Sequence, residues 1–233
     1  MRWRSGDRAS PVACGWIRRR RGWACRYWSK RMTGHETTTT CCSCRCGSGA
    51  PTSATRILMD EHRVIERVLD ALEEKLRREP RVCRRFVADA IDFFRNFADG
   101  CHHHKEEDEL FPVLESAGIP RVGGPIGCML HEHDEGRRLI RRMEEHLDAA
   151  SQGEPRADAV VRSAAADYAH LLRFHIQKED TILFRMADQV LGEEEQRLML
   201  EAFDRAEHHN GDAGKHERYL KLAEKLHQEA FGG

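Results

Sequence analysis

The sequence predicts an all-α fold: an antiparallel up-down four-helix bundle with a C-terminal extra helix and a disordered N-terminal segment. Three observations carry this. Charged residues make up 33% of the 233 residues and aromatics 7%, with seven Pro, a profile of surface-rich helices rather than of an all-β chain. Apolar residues recur at helical spacing in four long stretches after residue 53. Short Gly- and Pro-containing segments separate those stretches, so consecutive helices should lie antiparallel.

The elements follow in order. Residues 1–53 lack periodicity and hold Arg18–Arg21, four Thr at 37–40 and the string Cys41-Cys42-Ser43-Cys44-Arg45-Cys46. They are expected to be disordered. The Cys spacing matches no paired zinc pattern. Met32 offers an alternative start, and the basic, acid-poor composition also permits a transit peptide. The first helix begins at Ala54, capped by Ser53 or Thr55, carries Leu58, Ile65, Val68, Leu69, Leu72 and Leu76, and ends at Pro80. The second is expected from about Pro80 to Glu115, with Phe86, Val87, Phe93, Phe94 and Phe97 on its stripe. It must run through Gly100, which costs about 1 kcal/mol in a helix interior. Residues 118–125 form a loop, and Pro125 suits the first turn of a third helix with Ile126, Met129, Leu139, Ile140 and Met143. After a turn at 151–155, a fourth helix carries Val161, Tyr168, Leu172, Ile176 and Leu183 until Gly192. One further, more polar helix is expected within 193–229. The domains are thus an Arg- and Cys-rich extension at 1–53, a bundle at 54–190 and a helical extension at 191–233.

Charge and cysteine narrow the function classes. Residues 1–53 carry a net charge of about +9 and the remainder about −10. The mildly acidic body is a poor match for nucleic acid. No apolar run is long enough to span a bilayer, and no secretion signal is evident, so no membrane partner is expected. The body holds only Cys83, Cys101 and Cys128, which is no disulfide framework, and a reducing, cytoplasmic location is expected.

The chemistry lies in four strings, one per helix: Asp60-Glu61-His62, His102-His103-His104-Lys105-Glu106-Glu107, His131-Glu132-His133-Asp134, and His175-Ile176-Gln177-Lys178-Glu179-Asp180. Residues four apart on a helix share a face. His102 with Glu106, and His175 with Glu179, therefore each aim an imidazole and a carboxylate the same way. With His62 and His133 they supply four nitrogens and two carboxylates, enough for two metal ions with room for a bridging oxygen and an open position. A single such pair is ordinarily a solvated helix pair of a few tenths of a kcal/mol. Four sets on apolar stripes are not, because buried carboxylates need a compensating cation. His103 and Glu107 are also four apart, so spacing alone leaves two registers open. His103, His104 and His131 are assigned to the ligands' surroundings or the surface. His170 lies off the metal face, and His208, His209, His216 and His227 are expected to be exposed. Glu61, Glu66 and Asp134 are candidates to orient the imidazoles.

At these residues the sequence resembles the hemerythrin-like, HHE cation-binding family. The matching strings are Asp60-Glu61-His62; His102 with Lys105-Glu106-Glu107 and Leu110-Phe111-Pro112; Gly124-Pro125-Ile126 with Glu132-His133-Asp134; and His175-Ile176 with Lys178-Glu179-Asp180 and Ile182-Leu183-Phe184. The Lys-Glu-Glu-x-x-Leu-Phe-Pro string favours His102 and Glu106 over the shifted pair. The resemblance implies two non-haem iron ions with a bridging oxygen, bridged by Glu106 and Glu179 and held terminally by His62, His102, His133 and His175. Hemerythrins proper carry a second His four residues away on the third helix, where this chain has Met129 or Arg137. That difference places oxygen storage in question and favours reaction with, or sensing of, a small ligand.

Two functions compete. One is a di-iron protein that binds oxygen, nitric oxide or peroxide for sensing, scavenging or iron handling. No signalling domain is attached, so a sensor would need an unidentified redox or signalling partner. The other is an enzyme that reduces nitric oxide or peroxide, or an iron donor for iron–sulfur repair. A metal that only staples the helices is the structural alternative. Ferritin-type oxidation is disfavoured, since no Glu-x-x-His pair occupies a core position. The donors would also accept zinc or manganese.

Overall fold

The computed structural model describes residues 53–208 and 214–232, together with the backbone of two short strands near the N-terminus. Those strands, β1 (Trp16–Arg19) and β2 (Gly22–Cys25), pair antiparallel with Trp16 opposite Cys25. The rest of residues 1–52 lies outside the described residues, including the Cys-rich string. The chain divides into two units between Cys46 and Gly47.

The second unit is helical. α1 (Ala54–Arg78) starts where Ser53 Oγ accepts from the Arg56 backbone N–H, as the capping signal predicts. α2 starts at Arg84 rather than Pro80, since residues 80–83 form a non-helical link with extended backbone at Cys83 and a buried Val82. It runs as an α-helix over Arg84–Phe93, as wider π turns over Phe94–His103 and Lys105–Leu110, and as an α-helix again over Phe111–Ser116. Gly100 has a reason there: a Cβ would meet the Arg95 carbonyl oxygen, five residues back, at 3.2 Å. α3 (Pro125–Ser151) opens on Pro125, and Glu154 caps α4, which runs over Pro155–Lys178, a π turn at Glu179–Leu183 and a last stretch at Phe184–Val190.

Where one C-terminal helix is expected there are two, α5 (Glu193–His208) and α6 (Lys215–Phe231). The sequence between them holds Asn210-Gly211, a turn-favouring pair. α6 packs on α1 and α2, tied by Arg85–Glu229 and Lys225–Asp89 ion pairs and by Tyr219 Oη donating to Asp92 at 3.2 Å. No helix among the described residues is long and apolar enough to cross a membrane.

The apolar interior divides in two. One cluster holds Ile65, Leu72, Phe86, Phe94, Met143, Tyr168 and Leu226; the other holds Leu58, Phe111, Ile126, Met129, Phe184 and Phe203. A layer of buried polar side chains lies between them in chain order. Along α1 the chain passes from the second cluster through Glu61 and His62 to the first. Along α2 it passes back through His102 and Glu106, along α3 forward through His133, and along α4 back through His175 and Glu179.

Candidate metal centre

His62, His102, Glu106, His133, His175 and Glu179, from four helices, are each at most 1% exposed and come together in that layer. His62, His102, Glu106 and Glu179 can each offer a donor atom such that all four lie within 4.8 Å of one another. His103, Glu106, His133 and His175 form a second such quartet, sharing Glu106 with the first. Glu179 Oε2 also reaches both sides, at 3.2 Å from His62 Nε2 and 3.2 Å from His175 Nε2.

Of the two places expected for His103, the ligands' surroundings or the surface, the surface is excluded. It is 5% exposed and belongs to the second quartet. The cause is the π turn. Its i→i+5 hydrogen bonds widen the helix, so consecutive residues diverge less around the axis and His102 and His103 both enter the interior. His104 and Asp108 pair outside, His131 and His170 are exposed, and His216 is half-buried against the Phe97 ring rather than exposed. The ring of His227 is also half-buried, against Phe231. His209 and the His208 side chain lie outside the described residues.

Each imidazole has its Nδ1 on a carboxylate, and for four of them the pattern is circular. Glu61 on α1 accepts from His102 on α2 at 3.0 Å, and Glu107 on α2 from His133 on α3 at 2.6 Å. Glu132 on α3 accepts from His175 on α4 at 3.0 Å, and Asp180 on α4 from His62 on α1 at 2.7 Å. Every one of these carboxylates is the chain neighbour of one of the six converging residues and serves the next helix. Of the three expected, only Glu61 does this; Glu66 pairs with Arg63 and Asp134 with Arg137. Adjacency to the ligands was the signal that could have found Glu107, Glu132 and Asp180.

A carboxylate that takes the Nδ1 proton of a neutral imidazole leaves its Nε2 as an acceptor toward the interior. His62, His102 and His103 Nε2 and all four oxygens of Glu106 and Glu179 are buried without a hydrogen-bond partner among the described residues. His133 Nε2 and His175 Nε2 face each other at 3.0 Å. Such a gathering of bare acceptors is costly unless a cation sits among them. The titration of these groups shows the same tension. Burial, and then the charge of Glu179, push Glu106 well above the usual carboxylate range. Burial beside His62 holds His102 down at about 3. His175 goes the other way: burial opposes it, but Glu179 and Glu132 raise it to about 9, so a proton can do part of a cation's work. The donor set of imidazole and carboxylate suits iron, manganese or zinc.

The two quartets differ in their surroundings. Behind His102, buried Lys105 donates to Glu61 at 2.6 Å and pairs with Glu207 of α5. Cys101 beside them is pushed up to about 11 by burial, which makes it an inert thiol. His62 stacks on Phe184, ring centroids 5.5 Å apart. On the other side, a cavity of about 190 Å³ reaches His103 and His133, lined also by Asp99, Gly136, Arg137 and Tyr168. Tyr168 is buried and packs edge-on against Phe94, a core role as expected.

An all-helical body that gathers histidines and carboxylates into two overlapping buried quartets defines a metal-binding helical protein. The family model described as the hemerythrin HHE cation binding domain matches residues 53–187, and the chain belongs to that family. An uncharacterized protein of Mycobacterium tuberculosis is 30% identical over 169 residues, covering 70% of this chain and 65% of its own. The chain therefore spans just under two thirds of that relative's length. The iron–sulfur cluster repair protein DnrN of Neisseria gonorrhoeae is 34% identical over 36% of this chain and 54% of its own. The iron–sulfur cluster repair protein YtfE of Edwardsiella ictaluri is 32% identical over 45% and 48%. No solved structure matches the chain.

Proposed function

We propose that the chain is a cytoplasmic non-haem di-iron protein that binds a small ligand (oxygen, nitric oxide or peroxide) for sensing, scavenging or iron handling. The order of apolar cluster, polar layer and apolar cluster along α1 to α4 supports reading those helices as an antiparallel up-down bundle around the centre. The observation that carries the function is the set of inward-facing, unpartnered Nε2 and carboxylate atoms in two quartets sharing Glu106. In this reading Glu106 and Glu179 would be shared by the two ions, and His62, His102, His133 and His175 would each hold one of them.

A ferrous pair supplies reducing electrons and a coordination position to a small ligand. The protein supplies the rest. The carboxylate on each Nδ1 fixes the tautomer and raises the basicity of the imidazole. The apolar walls, Phe184 and Phe111 among them, keep water from competing. Against its burial, the hydrogen bond from His102 and then the charge of Lys105 hold Glu61 ionised, which keeps His102 oriented.

An iron donor or a reductase of nitric oxide or peroxide is the second reading. The two relatives named as iron–sulfur cluster repair proteins favour the donor form. Metal content and optical spectra of the full chain test the first. Two irons per chain, near-ultraviolet oxo-bridge absorption in air and a new band under nitric oxide are expected. A chain that takes up zinc but no iron pair ends the di-iron reading. Repeated turnover with a reductant, rather than one ligand per centre, would replace binding by catalysis.

A further inference from the structure

We propose that His103 is a fifth imidazole ligand of this centre, supplying from α2 the nitrogen that α3 lacks where Met129 stands. The inference rests on the di-iron reading above and goes beyond its six residues.

Four observations on His103 carry it. Its side chain is buried, and its Nε2 has no partner among the described residues, as for His62 and His102. That nitrogen or its ring partner lies within 4.8 Å of donor atoms of Glu106, His133 and His175. Its ring stacks on His133, centroids 3.8 Å apart and 12° from parallel, so the two imidazoles present their edges side by side. And its Nδ1 faces a carboxylate, Asp99 at 3.3 Å, the arrangement that orients each of the other four.

The Asp99 contact differs from the rest in being on the same helix, four residues back. Arg137 compensates. Its Nε donates to Asp99 at 2.8 Å, and its terminal nitrogen to Glu107 at 2.8 Å. One guanidinium thus steadies the carboxylates behind both His103 and His133. A histidine that merely filled space would need neither the inward lone pair nor this support.

Donor counting gives the consequence. The ion at His133, His175 and His103 receives three nitrogens plus the bridging carboxylates, while the ion at His62 and His102 receives two. The open position therefore belongs to the His62–His102 side, beneath Phe184, and the centre is unequal rather than symmetric.

The test is anaerobic ferrous loading of the full chain, read by iron stoichiometry and Mössbauer spectra, in wild type, His103→Ala, His103→Gln and the exposed control His104→Ala. Two inequivalent iron signals are expected in wild type and in His104→Ala. In both His103 variants, with helical circular dichroism unchanged, the second iron should bind at least about tenfold more weakly, a loss set by the low end of changes around metal ligands. Added imidazole, for which the neighbouring cavity of about 190 Å³ has room, should restore the second signal in His103→Ala. Two irons with wild-type affinity and spectrum in both variants would overturn the proposal and leave the six-residue centre standing. A wild type that binds no iron pair would overturn the centre itself.

Discussion

The two halves of the polar layer share one design and differ in what stands behind it. On the His62–His102 side the groups behind His102 are sealed: Glu61 is 4% exposed, Lys105 is fully buried, and α5 closes over them through Glu207 and Phe203, while Asp180 behind His62 is half-buried. On the His133–His175 side they are half-buried. Asp99, Arg137 and Glu132 line the cavity, Arg137 also holds Glu107, and Glu132 pairs with Lys178. One half is held by buried ion pairs that cannot lose a member, the other by a partly solvated network with spare partners. Metal-binding atoms need the same aim in both, but the cost of disturbing that aim should be unequal.

The largest expected effect falls on the residue the halves share. Iron at a hundredfold excess over its dissociation constant stabilises a folded chain by about 2.7 kcal/mol. For a body of this size that is about 5–10 °C in Tm. Glu106→Gln should erase the iron-induced shift on both sides at once. Without iron the same change should raise Tm slightly, because it removes one of two buried carboxylates that repel each other. Calorimetry with and without ferrous iron measures both signs; a variant that still gains the wild-type shift would show that the halves do not share Glu106.

The next effect separates the halves. Glu61→Gln leaves buried Lys105 with Glu207 alone, and breaking a buried pair costs about 3 kcal/mol. Glu107→Gln leaves Arg137 its bonds to Asp99, so about 1 kcal/mol or less is expected. Each should weaken iron binding by about 10- to 100-fold, since each orients one imidazole. Urea unfolding without metal, followed by iron titration, compares them. Equal unfolding costs would remove the distinction between a sealed and an open side.

How much of this was legible beforehand follows the same division. The four long helices, the Ser53 cap and the convergence of the six metal-facing residues came from spacings of three and four. Those spacings hold wherever the helix is regular. They offered His103 only in place of His102, because a regular helix does not turn both inward, and nothing local in the string from Asp99 to Glu106 announces the π turn except the tolerance for Gly100. The orienting carboxylates were hidden for another reason. Glu107, Glu132 and Asp180 look like ordinary surface charges along their own helices, and only packing against the next helix gives each a histidine. The split of the C-terminal region was legible in the Asn210-Gly211 pair, but its docking on α1 and α2 was not.

The smallest effect tests which half meets the ligand. A Cβ at Gly136 would sit 3.4 Å from the Tyr168 ring, an ordinary contact, and the backbone there is helical. Gly136→Ala should therefore stabilise α3 by up to about 1 kcal/mol while narrowing the cavity beside His103 and His133. If the His133 side is fully ligated, the narrowing should leave the rate of nitric oxide binding to the ferrous protein unchanged. Phe184→Leu, opposite His62, should alter that rate instead, because it reshapes the wall over the ion with fewer nitrogens. Stopped-flow absorbance on the two variants decides between the sides, and slowing in Gly136→Ala alone would move the reactive position to the half that faces the cavity.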